Sequence, residues 1–224
     1  MRFRLIPALV LLALPSAAGA ASFPCAKAST ATETAICADS VTSKLDERLS
    51  ATYRAALKRL SGASPEDGAA GTAVKADQKA WIADRNACGN AVPCLRMAYE
   101  RRLAVLSFRP DPGAPKPADR YVGTFDYEGF VGIAAMALRD GRVAVSVSGA
   151  EPTNARWVCD FSGVGSLDAA GRLVVGTPND EGEGLVLQAK GTSVVEIPET
   201  PHNKVASSNW CGFNGSVLFE YRRK

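Results

Sequence analysis

The sequence predicts an α+β fold in two domains, an N-terminal disulfide-bonded helical bundle followed by a C-terminal antiparallel β barrel or sandwich. Three observations carry this. The hydrophobic period changes from helical to short β-branched runs across a proline-rich segment at 109–120. Four of the six cysteines precede that segment and two follow it. Turn dipeptides punctuate the short runs of the second half.

In chain order, residues 1–20 read as a signal peptide. Arg2 and Arg4 precede an apolar run, Leu5 to Leu14, which Pro15 breaks, and Ala18-Gly19-Ala20 supplies a cleavage site. Cleavage after Ala20 is expected, leaving about 204 residues in the periplasm of a bacterium or secreted from it. The alternative is an uncleaved anchor, but the run falls short of the roughly 20 residues that span a bilayer. The cleaved chain is expected not to span the membrane. Phe23-Pro24 before Cys25 argues against lipid attachment there.

Residues 21–108 read as helical. Thr30 and Glu33 have the spacing of a capping box, so a short helix should begin near Ala31 and run into Cys37. Asp39 is placed to cap a long helix whose stripe is Val41, Leu45, Leu49, Tyr53, Leu57 and Leu60. Val74, Trp81 and Ile82 mark a second long helix, and Leu95, Tyr99, Leu103 and Leu106 a third. Ser61 to Gly71 reads as a flexible connection. Residues 109–120 hold four prolines and predict a semi-rigid domain linker rather than a long surface loop.

Residues 121–224 predict seven or eight strands. Val143–Val147, Leu173–Val175, Leu185–Leu187, Val194–Ile197 and Val217–Tyr221 are the clearest runs, and Asp140-Gly141, Ala170-Gly171 and Lys190-Gly191 are turns. Antiparallel pairing of such strands closes as a barrel or stacks as a sandwich.

Six cysteines after the cleavage site, in an oxidising compartment, predict three structural disulfides. Local spacing and one pair per structural unit give Cys25–Cys37, Cys88–Cys94 and Cys159–Cys211. A cross-link between the helical pairs, such as Cys25–Cys88, stays open. No C-x-x-C occurs and His202 is the only histidine, so neither a redox motif nor a Cys/His zinc set is expected. No cofactor or metal is implied. His202 lies in a loop-like Pro198–Asn203 segment and no Gly-x-Ser-x-Gly accompanies it, so no catalytic residue is assigned and the chain is not read as an enzyme. Gly163-Val164-Gly165 has Asp168 where a phosphate loop needs glycine. Asp180-Glu181-Gly182-Glu183 reads as a solvated hairpin tip rather than a calcium loop. Residues 21–108 hold twelve Lys/Arg and nine Asp/Glu, net +3, and residues 121–224 hold nine and twelve, net −3. Neither half is basic enough to suggest nucleic acid.

The candidate binding residues are Lys75, Lys79, Trp81, Arg85, Tyr99 and Arg102. Trp81 and Arg85 lie one helical turn apart, as do Tyr99 and Arg102. The simpler reading of those four is an aromatic core with arginines at its edge. Lys75 and Lys79 flank the Trp81 stripe as exposed basic positions.

The helical half carries a longer pattern. Phe23-x-Cys25-x-Lys27-Ala28-x-Thr30-x-x-Glu33-x-x-Ile36-Cys37-Ala38-Asp39 opens it, and Leu45-Asp46 and Tyr53-Arg54 follow. Gln78-x-x-Trp81-x-x-x-Arg85-Asn86-x-Cys88-Gly89 and Cys94-Leu95-x-x-x-Tyr99-x-x-Arg102 complete it. This resembles the lysozyme-inhibitor LprI-like N-terminal domain family of bacterial envelope proteins, over about residues 23–107 only. The resemblance implies a small exported helical domain with lysozyme as its partner and inhibition as its activity. The alternative is a periplasmic interaction module that binds another envelope protein without inhibiting lysozyme. The basic balance of the helical half suits the acidic cleft of a lysozyme, whereas Glu66 and Asp67 in the flexible connection do not. The acidic β half would steer a basic enzyme at long range.

Overall fold

The Thr30 hydroxyl accepts the Glu33 amide at 3.1 Å while the Glu33 carboxylate accepts the Thr30 amide at 3.0 Å. This reciprocal pair satisfies two orphan donors and starts α1, Ala31–Ala38. Asp39 ends α1 and caps α2, Ser40–Leu60, by accepting the Thr42 amide at 2.8 Å. In the computed structural model, which describes residues 21–61, 68–212 and 214–224, α3 covers Ala69–Asn86 and α4 Val92–Leu106. The signal segment and Glu66 and Asp67 lie outside the described residues. Helix α3 starts inside the expected Ser61–Gly71 connection, because Ala69 and Ala70 are good helix formers and Ala70 is buried. Val41 is the exception on the α2 stripe: it is exposed, while Thr42 and Ser43 beside it are buried.

The disulfides are Cys25–Cys37, Cys88–Cys94 and Cys159–Cys211. The first ties the segment before α1 to its end. The second closes the loop between α3 and α4.

The β half is a closed antiparallel barrel, settling the choice against a sandwich. Its strands are β1 Gly123–Tyr127, β2 Val131–Ala137, β3 Val143–Ala150, β4 Val158–Leu167, β5 Leu173–Gly176, β6 Gly184–Lys190, β7 Val194–Glu196 and β8 Glu220–Arg223. Each pairs with the next in sequence, and β1 pairs with β8 through Phe125 and Arg223. Alternation sorts the side chains: Ile133, Val143, Val145, Val147, Leu173 and Leu187 point into one apolar core. The glycines at 163 and 165 lie in β4, not in a loop. A Cβ on Gly163 would stand 2.7 Å from the Val175 side chain, so the strand passes only without one.

Two β-half expectations need correction. The Pro198–Asn203 segment is not a loop. Thr200 caps a helix, α5 Pro201–Trp210, through a 3.2 Å bond from the Asn203 amide, and Pro201 sits in its first turn. Asn203 is fully buried and bonds the Val186 amide and carbonyl, each at 2.9 Å, so α5 docks on β6. The Val217–Tyr221 run pairs only from Glu220 onward. Val217 instead gives its amide to the Ser207 hydroxyl of α5 at 3.1 Å.

The helices lie on the outside of the barrel. Ala134, Met136 and Ala144 face outward from β2 and β3 and join the helical core of Leu49, Leu60, Val74, Trp81, Leu95 and Leu103. The Ser162 hydroxyl of β4 donates to the Leu60 carbonyl at 2.6 Å. The Asp77 carboxylate of α3 accepts the Arg139 amide at 2.8 Å.

Segment 109–120 therefore does not hold the halves apart. Its prolines do make it extended, but polar contacts pin it to both sides. Asp111 accepts two bonds from Arg101 of α4, at 2.8 and 2.9 Å. Lys116 donates to the Leu138 and Arg139 carbonyls at 2.7 and 2.8 Å. A short 3-10 turn, Pro117–Tyr121, then buries Tyr121 against the barrel.

Candidate functional site

Asp46 lies on the buried face of α2, beside Leu45 and Leu49, where an acid must be paired. It is answered from two directions. Ser22 donates its amide and hydroxyl to one carboxylate oxygen, at 2.7 and 2.6 Å. The Tyr99 hydroxyl of α4 donates to the other at 2.7 Å and accepts from Arg85 of α3 at 2.9 Å. Burial and the bond to Asp46 raise the Tyr99 hydroxyl above its ordinary range. The Trp81 and Tyr99 rings meet edge to face with centroids 5.5 Å apart, and the Arg85 guanidinium lies 5.6 and 5.8 Å from the two centroids. Such an aromatic pair adds about 0.5–1.5 kcal/mol beyond its buried area.

On the other side of Trp81, Arg102 of α4 is 3% exposed. It donates to Asp77 at 2.6 Å and to Gln78 at 2.9 Å, and its guanidinium lies 5.9 Å from the Trp81 centroid. Burial lowers its pKa from the ordinary arginine value, opposed by Asp77. Its Nη2 has no hydrogen-bond acceptor among the described residues.

Trp81, Arg85, Tyr99 and Arg102 are thus brought into one cluster. Lys75 and Lys79 are not in it: both are exposed on α3. Of the acids that hold the cluster, Asp46 stands in the sequence pattern only as Leu45-Asp46, without a binding role, and Asp77 is absent from it. The available signal was an acid set on the buried face of an apolar helix stripe, at Leu45-Asp46 and one turn before Trp81.

Beside this cluster lies a cleft of about 400 Å³ between α3, α4, the 109–120 segment and the end of β2. Trp81, Met97, Ala98, Val105 and Leu138 give it apolar walls, and Arg85, Arg101, Arg102, Lys116 and Arg139 line it with Asp84, Asp111 and Asp119. A Cβ on Gly113 would stand 2.5 Å from the Arg101 guanidinium carbon, so a glycine lets the segment close over α4.

The Trp81–Arg85–Tyr99–Arg102 cluster lies in the helical half that carries the Cys25–Cys37 and Cys88–Cys94 disulfides. Residues 25–107 match the family model of the lysozyme inhibitor LprI. The matched region spans α1 to α4 with both of their disulfides, and the barrel lies outside it. The chain matches no curated protein and no solved structure. Within the matched region, Tyr99 and Arg102 hold helices together, because both have almost no surface.

Elsewhere, His202 is exposed at the start of α5, 3.4 Å from the Asp180 carboxylate. The Asp180–Glu183 tip is organised by Asn179, whose Oδ1 accepts the Glu181 and Glu183 amides at 3.1 Å each. Among the described residues, no group of three or more His, Cys, Asp or Glu is placed to hold a metal ion. No helix among them is long and apolar enough to cross a membrane.

Proposed function

We propose that this is an exported bacterial envelope protein that binds lysozyme and inhibits it through its LprI domain. The observation that carries this reading is the family match, confined to residues 25–107. The net +3 charge of residues 21–108 supports it, since a lysozyme cleft works with two carboxyl groups. The signal-like residues 1–20 and the three disulfides support the periplasm or the exterior as its place of work. Trp81, Arg85, Tyr99 and Arg102 act in this reading as the frame, and exposed basic residues such as Lys75 and Lys79 as the contact surface.

The test is lysis of cell-wall suspensions by several lysozyme classes, followed by turbidity, with rising doses of residues 21–224. Dose-dependent protection is expected. Lys75→Glu with Lys79→Glu should weaken it at least tenfold at unchanged circular dichroism. No protection against any class would reject inhibition and leave the non-inhibitory interaction module.

A further inference from the structure

Residues 21 and 22 are held in the helical core rather than trailing from it. Ala21 is 7% exposed and belongs to the apolar cluster that contains Ile36, Leu49 and Trp81. Ser22 turns both its amide and its hydroxyl to Asp46 Oδ2, at 2.7 and 2.6 Å. Asp46 is itself buried. Both donors that meet Oδ2 therefore come from the segment beside the expected cleavage point, and both are neutral.

The carboxylate is short of positive charge on that side. Its other oxygen, Oδ1, accepts from the Tyr99 hydroxyl, which is also neutral. Arg85 is the one cation paired with Asp46 among the described residues. Its Nη1 stands 3.7 Å from Oδ1 and donates to the Tyr99 hydroxyl at 2.9 Å. A buried carboxylate gains from each further cation brought close to it.

Covalent geometry brings a second cation to Oδ2. The Ala21 nitrogen is three bonds from the Ser22 nitrogen, so the two are at most about 3.7 Å apart. The Ala21 nitrogen thus lies within about 6.4 Å of Asp46 Oδ2. Before cleavage that nitrogen is a peptide N–H. Hydrolysis of the Ala20–Ala21 bond by a signal peptidase consumes one water and leaves a carboxylate on Ala20 and an ammonium on Ala21.

We propose that Asp46 is the acceptor for the α-ammonium group of Ala21, made when residues 1–20 are removed. The assignment rests on the export reading above and is independent of lysozyme inhibition. The ion pair ties the segment before α1 to α2, on the carboxylate that Tyr99 already joins to α4. Removal of the leader thereby completes the helical core.

Three measurements test this. The full chain, expressed in a bacterium and recovered from the periplasm, should begin at Ala21 by intact mass and N-terminal sequencing. Urea unfolding then compares residues 21–224 with a free amine and with an Nα-acetyl group, each with Asp46 and with Asp46→Asn. Acetylation should raise the unfolded-to-folded ratio at least fivefold with Asp46 and less than twofold with Asn, because the cycle isolates the pair. Labelling at neutral pH with an N-hydroxysuccinimide ester reads the unaltered chain, so it stands even if Asp46→Asn fails to fold. The native Ala21 amine should react at least tenfold more slowly than the amine of the urea-unfolded chain. A periplasmic chain that begins elsewhere would overturn the proposal and leave export standing, whereas a chain left uncleaved in the cytoplasm would overturn both. An acetylation effect that is absent or equal in the two backgrounds, or native labelling as fast as unfolded, would overturn the ion pair wherever the cut falls.

Discussion

The barrel fills its interior with its own side chains, whereas the helical half completes its core with residues borrowed from the barrel's outer face. Phe125, Ile133, Val145, Phe161, Leu173, Leu187 and Tyr221 meet inside the barrel. Leu49, Leu60, Val74, Trp81 and Leu95 instead share their cluster with Ala134, Met136 and Ala144. The halves also differ in what they bury. The helical half encloses Asp46, Asp77, Gln78 and Arg102, while the buried polar side chains of the β half are neutral: Ser146, Asn203 and Ser207. The difference teaches where specificity resides. A closed barrel is positioned by its hydrogen-bonded ladders. Helices laid on the outer face of a barrel need directional contacts to fix their register, and paired charges supply them.

The largest effect should come from breaking that charge network. Arg102→Ala leaves Asp77 buried without its cation and should cost about 3–5 kcal/mol. Urea unfolding of residues 21–224 checks this. A loss under 1 kcal/mol would mean that the network contributes little to the helical core.

Next is the borrowed face. Met136→Ala should cost about 3 kcal/mol in the full chain, because Met136 is fully buried beneath the helices. In a barrel expressed alone, as residues 121–224, the same change should cost almost nothing, since Met136 points away from that interior. Equal losses in the two chains would show that the helical half contributes nothing to burying this side chain.

The smallest effect is local. Thr30→Ala removes the capping-box hydroxyl and should cost about 1 kcal/mol, with the loss of helical protection confined to α1. Amide exchange by NMR reads it residue by residue. Fraying that spread into the barrel would contradict the local role.

Much of this division was legible in the sequence. Thr30, Glu33 and Asp39 announce helix starts because capping is a contact within a few residues. Asp140-Gly141 and Lys190-Gly191 announce turns because Gly141 and Gly191 adopt positive φ, 92° and 70°. Strands β1, β2 and β4 were harder. β2 is buried on both faces and rich in alanine, and β4 alternates with Gly163 and Gly165, so neither shows a strong β-branched alternation. Helix α5 carries few large apolar residues, and its docking through Asn203 is a long-range contact that no local pattern reveals. The candidate cluster was half legible. The Trp81–Arg85 and Tyr99–Arg102 spacings placed the right side chains together, but their bonds to Asp46 on α2 and Asp77 on α3 run between helices, which spacing within one helix does not reveal. The packing of helices on the barrel was not legible, because an outward-facing Ala134, Ala144 or Ser146 looks like any small residue on a solvated strand.

The borrowed core is the central claim, and hydrogen exchange on separated halves tests it most directly. Residues 21–108 and 121–224 would be prepared with their disulfides intact and compared with residues 21–224. The barrel should keep the protection of β2 to β6, while α3 and α4 in the isolated helical half should exchange at least tenfold faster than in the intact chain. Equal protection of α3 and α4 in both settings would contradict the account and restore two independent folding units joined by a spacer.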